Sequence, residues 1–529
     1  MIQDLEQLDA AAPIECDVCV IGTGAAGLAI ANELLDTNLR LVFLEGGGAD
    51  HEPASQDLYQ SVITGHPFAG HMTGRFRVLG GSTTRWGGQA LRLTPIDFQP
   101  RDWVPHSGWP IRYDQLHDYY LRASRFLEVD ELDFDRDLFR LLGTQPPGFD
   151  AARVHYHFSK WSPRPDLRLA HRAKLAASTR ATLLLHANVT RIRLSGDHRH
   201  VDEVTVRSLG GRSATVRAKQ FVLCAGGIET ARILLANNTQ QPAGIGNGRD
   251  LVGRFFQDHP GAQIGVLRAT NPNDAQRLFH LFYRAGLKYS VRFSATEQLQ
   301  REQRILNISG LIGFDTGPGS AYDAAKEVYG MLRRREIGAA LARKALFALS
   351  RAPSLFRPIY HYYIRRRGYS PDPVFRVLGT CEQEPHPDSR ITLVTETDAL
   401  GIPRSQIHWR LTDAVHRTFC AYARTLKTEF ARAGIGEIEL QEWTDEGYTD
   451  WRPHIGDQLH HMGTTRMHES PEYGVVDADC RVHGMDNLSI GSSAVFPTSG
   501  HSNPTLTLIA LSIRIADRLR KELGVAPYP

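Results

Sequence analysis

Asp17-Val18-Cys19-Val20-Ile21-Gly22-Thr23-Gly24-Ala25-Ala26-Gly27 carries a β-forming run into the pattern Gly22-x-Gly24-x-x-Gly27. Leu28-Ala29-Ile30-Ala31-Asn32-Glu33-Leu34-Leu35 continues as a helix with a broad apolar face, and a second strand, Arg40-Leu41-Val42-Phe43-Leu44, ends at Glu45. Strand, glycine turn, helix and strand in this order predict a dinucleotide site. Gly22 permits the tight turn, Gly24 lets the backbone approach a pyrophosphate, and Gly27 lets the helix pack close to the sheet. The free amides of the first helical turn, at Ala25 and Ala26, then face phosphate charge. Glu45 stands 18 residues past Gly27, where a carboxylate can accept hydrogen bonds from ribose hydroxyls. The pattern specifies an adenine dinucleotide but not which one.

At 529 residues the chain has room for about three domain-sized masses, and 42% hydrophobic with 22% charged residues is the balance of a globular protein. A net charge of +3 is close to neutral and argues against a global nucleic-acid partner. The acidic, polar start, Met1 to Pro13, has neither signal nor lipidation motif, and no run approaches the ~18 apolar residues of a membrane span. The expected location is the cytoplasm. Of the six cysteines only Cys16 and Cys19 are close; their odd spacing on a strand points them to opposite faces, so neither a disulfide framework nor a zinc site is expected.

Further along, Gly80-Gly81-Ser82-Thr83-Thr84-Arg85-Trp86-Gly87-Gly88 is too rich in Gly, Ser and Thr for element core and reads as a second ligand-contacting loop. Thr182–His186, Val189–Leu194, Val204–Val206 and Ala214–Val216 are strand-like. Phe221-Val222-Leu223-Cys224-Ala225-Gly226-Gly227 then repeats the strand, glycine turn and helix, returning the chain to the first sheet. From about 260 to 450, strand-like Ile305–Gly313, Ser389–Val394 and Ser405–Trp409 precede an amphipathic helix over Ala414–Ala433, predicting a separate substrate-facing domain. Within it, 326–368 holds eleven Lys and Arg against two acids, so the remainder of the chain is formally −6. This basic helical insert reads as a solvated lid, or as a surface for peripheral membrane or partner contact.

The C-terminal region adds Leu459-His460-His461-Met462-Gly463-Thr464, Ile490-Gly491-Ser492-Ser493, His501-Ser502-Asn503-Pro504-Thr505 and a last helix over Leu506–Leu523. Together with the N-terminal nucleotide motif, the 80–88 loop and the Val222–Gly227 turn, this block resembles the glucose–methanol–choline (GMC) oxidoreductases, nearest to the pyranose oxidase and sugar dehydrogenase branch. The resemblance is weak over about 270–370. It implies FAD and oxidation of an alcohol on a sugar, glycoside or polyol, with dioxygen or another acceptor reoxidising the flavin. Position by position, His460 matches the family's catalytic histidine and Asn503 its second active-site residue. His461 as the base and His501 in the second slot remain alternatives, while His454 and His468 read as structural.

The implied fold is α/β plus α+β: a Rossmann-like FAD-binding domain interleaved with a substrate domain built on an antiparallel sheet with helices. The FAD-binding domain would be discontinuous, 1–95, 181–260 and 451–529, and the substrate-binding region 96–180 and 261–450. The ADP half would lie against Gly22, Gly24, Ala25, Ala26, Gly27 and Glu45, and the rest along Gly80, Gly81, Ser82, Trp86, Gly87, Gly88, Ala225, Gly226, Gly491 and Ser492. Val189 would approach the adenine and Pro504 and Thr505 the ring. Pyranose oxidases carry a covalent flavin bond on a histidine before the loop tryptophan; Arg85 stands there, so the FAD is expected to be non-covalent. Rival readings are a redox-neutral, hydroxynitrile-lyase-like enzyme with structural FAD, and a membrane-docked flavin dehydrogenase subunit. A dehydrogenase using NAD alone is least expected, because it leaves the C-terminal block without a role.

Overall fold

The computed structural model describes residues 1–8, 12–316, 321–333, 336–350 and 356–525. Two large sheets organise it, and the fold is the expected combination of α/β and α+β. The first is nucleated by the stretch that opens the chain: Ile14–Ile21 is flanked in parallel by Leu41–Leu44 and by the end of Ser213–Leu223. Ala181–Leu185 and Ile2–Asp4 extend it on one side, while Val201–Arg207 and Asn188–Leu194 form an antiparallel meander on the other. Leu488–Ile490 joins Ser213–Leu223 in parallel. Where they adjoin, Val18-Cys19-Val20-Ile21, Leu41–Leu44 and Phe221-Val222-Leu223 are continuous apolar runs because both faces are covered. Helices Ala25–Leu34 and Thr505–Glu522 pack together, and His117–Phe126 packs on the latter.

Register places the chemistry. Leu223 lies opposite Ile21, Ile21 opposite Leu44, and Leu223 opposite Ile490. Four parallel strands therefore end together and deliver Gly22, Glu45, Cys224–Gly227 and Gly491–Ser493 to one edge. Ligands of open parallel sheets bind at such carboxyl ends.

The second sheet is antiparallel and runs Gly436–Leu440, Gly261–Ala269, Pro373–Cys381, Ile308–Thr316, Leu287–Ala295, Val154–Trp161 and Gln89–Ala90, with Phe282–Arg284 beside Leu287–Ala295. Its helix, Asp413–Arg432, buries Val415, Phe419, Tyr422, Leu426 and Phe430, spaced at three and four residues. The strands expected near 389 and 405 do pair, as Arg390–Thr397 and Pro403–Trp409. Pro403–Trp409 pairs further with Ser61–Gly65 in a separate three-stranded sheet, and the stretch between Glu45 and the Gly80–Gly88 loop holds that strand and the helix Pro53–Asp57. No residue of Ser61-Val62-Ile63-Thr64-Gly65 is fully buried, so the strand has no clear alternation of buried and exposed positions.

Candidate active site

A cavity of about 500 Å³ runs along the strand ends, from Gly22, Gly24, Ala25, Ala26 and Glu45, past Val189 and Ala225–Gly226, to His460 and Asn503. Gly81, Ser82, Trp86, Gly87, Gly491, Ser492, Pro504 and Thr505 line it as well. Three of the candidate residues stand just behind the wall. Gly27 abuts Gly22, Gly80 donates its N–H to Thr23 Oγ1 at 3.3 Å, and the Gly88 carbonyl accepts from Ser162 N at 2.8 Å.

The glycines of the turn differ in what surrounds them. Gly22 has φ +105°, and a Cβ there would lie 2.5 Å from the Cys224 carbonyl oxygen. A Cβ on Gly27 would lie 2.0 Å from the Gly22 carbonyl oxygen. Gly24 has nothing within 4 Å in that direction, because it faces the cavity. It caps helix Ala25–Leu34 without any side-chain hydrogen bond, leaving the first-turn amides open to a ligand. Open space above Gly24 and uncapped amides beneath it fit a pyrophosphate.

Glu45 is buried, which raises its carboxyl despite the hydrogen bonds it receives. Thr23 N and Oγ1 donate to one oxygen and Gly47 N to the other at 3.0 Å. A carboxylate has further acceptor capacity for ribose hydroxyls. Beneath this end, Arg77 gives Nε to Asn188 Oδ1 at 3.0 Å, and Arg75, Arg77 and Arg232 surround the buried Glu229. Burial pushes Glu229 up, but the Arg232, Arg77 and Arg75 guanidiniums hold it below the usual range.

At the other end, backbone pairing brings distant segments together. Gln257 and Met462 exchange hydrogen bonds, as do Gly261 and Gly456, so Asp258 and His259 lie against His460. The buried Asp258 carboxyl group accepts from the backbone N–H of His259 at 2.6 Å, Gln458 at 3.1 Å and His460 at 3.0 Å. Burial raises Asp258 to about 8 against those three donors.

The rings form a line. His259 Nε2 lies 3.3 Å from the Ser499 carbonyl, which can only accept. His259 Nε2 therefore carries the proton, and Nδ1 is left as an acceptor. His460 Nδ1, 2.8 Å away, donates to it, which leaves the His460 Nε2 lone pair toward Asn503 Nδ2 at 3.2 Å. Burial lowers His259 to about 4, and burial with His259, His461 and Arg292 holds His460 well below the ordinary imidazole range. Both rings are neutral at pH 7. Arg292 is buried on the facing sheet, with burial lowering it to about 10; it reaches Gln89 Oε1 at 3.4 Å and meets no carboxylate among the described residues.

The alternative histidines sit differently. His461 packs on Phe68, its buried Nε2 without a hydrogen-bond partner, and burial lowers it to about 3. His501 turns its Nε2 to Ser294 Oγ at 3.1 Å, toward a second cavity of about 340 Å³. His454 stacks on Trp443, and His468 accepts from Ser470 N at 3.0 Å. The sequence reading missed Thr23, Asn188, Arg77, Asp258 and His259. Asp258 and His259 stand in a polar Gln257-Asp258-His259 triplet between Phe256 and Pro260, which marks the stretch as unusual but does not reveal its contact with His460.

Residues 17–252 match the FAD-dependent oxidoreductase family and residues 385–512 the GMC oxidoreductase family. The chain is 24% identical to the fructose dehydrogenase large subunit of Gluconobacter japonicus over 96% of this chain and 98% of that one. It is 25% identical to paromamine 6'-oxidase of Streptomyces fradiae over 96% and 92%. Among solved structures, pyridoxine 4-oxidase from Mesorbium loti shares the fold at a TM-score of 0.57 and 18% identity, covering 95% of this chain and 99% of that one. With a cavity that fits a dinucleotide at the carboxyl ends of a parallel sheet and matches at both ends of the chain, the protein joins an FAD-dependent oxidoreductase domain to a GMC oxidoreductase C-terminal domain and is an FAD-dependent oxidoreductase acting on alcohol CH–OH groups.

Proposed function

We propose that the protein oxidises a hydroxyl of a sugar, glycoside or polyol to a carbonyl, with His460 as the base and Asn503 as the group that orients the hydroxyl. The observation that carries this reading is the line Ser499 carbonyl, His259, His460, Asn503, which ends in an unprotonated nitrogen at the cavity wall. Bound FAD supplies the two-electron acceptor. The chain's own residues do the rest. A substrate hydroxyl donates to His460 Nε2, replacing the Asn503 amide there. The Asn503 N–H then turns to the substrate oxygen, where negative charge develops, and it cannot itself take the proton. As the carbon is oxidised, the hydroxyl proton moves to His460 Nε2, while Nδ1 keeps its bond to His259. Gln89 and Trp161, which share the cavity, offer an amide and an indole face to a polyhydroxylated ligand.

The sugar class rests on two relatives matched along nearly the whole chain, whose names specify fructose and paromamine. Those names also divide between dehydrogenase and oxidase, so the acceptor is assigned by experiment. The proposed FAD-binding region is 1–95, 181–260 and 451–529, supported by the strands these segments give to the first sheet; the proposed substrate region is 96–180 and 261–450. Arg85 lines the cavity and cannot form a histidyl flavin bond, so the FAD is proposed to be dissociable.

The test is anaerobic mixing of the purified holoenzyme with sugars, glycosides and simple alcohols, following flavin absorbance near ~450 nm. Bleaching by a polyhydroxylated compound is expected, and admitting air separates oxidase from dehydrogenase. Bleaching only by simple apolar alcohols would remove the sugar reading. A flavin that no compound reduces would remove the oxidation reading.

A further inference from the structure

No described residue between Thr316 and Pro373 lines the cavity. Strands Ile308–Thr316 and Pro373–Cys381 are hydrogen-bonded neighbours, and their outermost register pair is Thr316 with Pro373. Everything between them is thus one long hairpin connection. The opposite end of the same pair, Ile308 with Cys381, adjoins the active-site segment, where Cys381 N donates to the Pro260 carbonyl at 2.9 Å. At ~3.4 Å per residue the two ends are roughly 27 Å apart. The described part of the connection comprises helices Ala321–Arg333 and Ala339–Ser350, which pack on each other, then Phe356–Tyr360 and the turn His361–Arg365. Its base is fastened: Gly368 N donates to Leu281 O at 2.7 Å, Ser370 N to Gln276 Oε1 at 2.7 Å, and Arg367 Nη1 to Arg277 O at 2.8 Å.

The surface of this connection is unlike the rest of the protein. Of nineteen exposed large apolar or tyrosine side chains among the described residues, eleven lie between Tyr329 and Ile364. Ile337 is 85% exposed, Leu346 71% and Phe356 70%. Clustered apolar exposure of this kind marks an interaction surface. The same segment holds the excess of basic residues, although Arg334, Arg335 and Arg351 lie outside the described residues. Among those described, Arg343, Arg365 and Arg366 are exposed, and the Arg365 guanidinium lies over the Tyr360 ring.

We propose that this hairpin docks the enzyme peripherally on an anionic lipid surface. The composition favours lipid over a protein partner. Protein interfaces lose charge at their centre, whereas here arginines alternate with isoleucine, leucine and phenylalanine. Tyr329, Tyr360, Tyr362 and Tyr363 supply the amphipathic rings that settle at headgroup depth, and arginine stems extend to phosphate from the same level. No helix among the described residues is long and apolar enough to cross the bilayer, so the contact is superficial. The remainder of the chain, at a formal −6, is repelled by the same surface, which orients the molecule with the hairpin toward it. Substrate access at the far end of the sheet then stays open.

Cosedimentation of the full-length holoenzyme with vesicles tests this independently of turnover. Vesicles of phosphatidylcholine containing about one-third phosphatidylglycerol are expected to pellet the protein at low salt, and phosphatidylcholine alone to leave it in the supernatant. Raising sodium chloride from about 0.05 to about 0.5 M is expected to weaken binding at least tenfold. Two variants separate the contributions: Arg365→Glu with Arg366→Glu, and Ile337→Ser with Leu346→Ser and Phe356→Ser. Each is expected to lose at least tenfold in partitioning while keeping its flavin content, which reports an intact fold. Equal partitioning to neutral vesicles, absence of pelleting, or variants that pellet like the parent would overturn the proposal. A concentration-dependent dimer abolished by the same variants, without vesicle binding, would assign the surface to a protein contact instead.

Discussion

At the scale of single residues, the proposed mechanism depends on where the ring protons sit. A histidine that is to act as a base must present a lone pair, and which nitrogen presents it is set by the partner of the other. Ser499 fixes His259, and His259 fixes His460. Replacing His460 by Ala is expected to lower kcat by about 10²–10⁴, the range of a general base, with flavin content unchanged. Replacing His259 by Leu removes the acceptor for His460 Nδ1 and lets the ring flip; kcat is expected to fall at least about tenfold, with less effect on KM. His259→Gln restores an acceptor oxygen and is expected to recover most of the loss, whereas a packing role would not distinguish Leu from Gln. The pH dependence has a definite sign. His460 is held well below 6.5, so its base form persists down to that lower pKa. The acidic limb of kcat/KM is therefore expected below pH 6.5, and a limb centred at 6.5 or above would contradict the neutral line of rings.

At the scale of elements, the turn after Ile14–Ile21 separates a fold requirement from a ligand requirement. Gly22→Ala and Gly27→Ala each force a Cβ against backbone, at 2.5 and 2.0 Å, so both are expected to lower the melting temperature and abolish FAD retention. Gly24→Ala meets no atom within 4 Å, and is expected to leave the apoprotein's melting temperature nearly unchanged while weakening FAD binding. Absorbance ratio and melting of the apo forms give both readouts; a Gly24 variant with normal FAD affinity would remove the close approach. The glycine pattern was legible in the sequence because its spacing is local, although the atom that excludes a side chain at Gly22 is the distant Cys224 carbonyl oxygen. The strand ends at Gly22, Glu45 and Ala225 were legible in the same way, through apolar runs, whereas the three-residue strand Leu488-Ser489-Ile490 before Gly491 carries no such run. His259 was not: its meaning arises from the Gln257–Met462 pairing, 205 positions along the chain, and no local pattern encodes a contact of that span. Ser61–Gly65 escaped notice for the same reason, since its partner strand begins at Pro403.

At the scale of the molecule, the two sheets must hold a fixed distance across the cavity, and buried charge near their junction contributes to that. Arg101 and Glu382 form a bidentate pair at 2.8 and 2.6 Å, with both side chains fully buried. Glu382 follows strand Pro373–Cys381 directly and also accepts from Asn307 N at 3.0 Å, while Asn307 Nδ2 donates to the buried Asp97 at 2.7 Å. Asp97 O in turn accepts from Thr498 Oγ1 at 2.8 Å, one residue before the Ser499 carbonyl that orients His259. The pair thus joins the antiparallel sheet to the loop that orients His259, and through it the proposed base His460. Removing one member leaves the other charge buried and unpaired, which costs about 3–5 kcal/mol. Glu382→Gln is therefore expected to lower the melting temperature by several degrees for a chain of this length and to slow turnover as the Ser499 loop loosens. Arg101→Met with Glu382→Leu, which removes both charges at similar volume, is expected to recover most of the stability, because desolvation offsets much of a buried pair's attraction. Thermal melts of the single and double variants decide between a pair that stabilises the fold and one that is merely costly to break. A double variant as unstable as Glu382→Gln would show that the hydrogen bonds to Asn307 and Asp97, rather than the charges, hold the sheets in place.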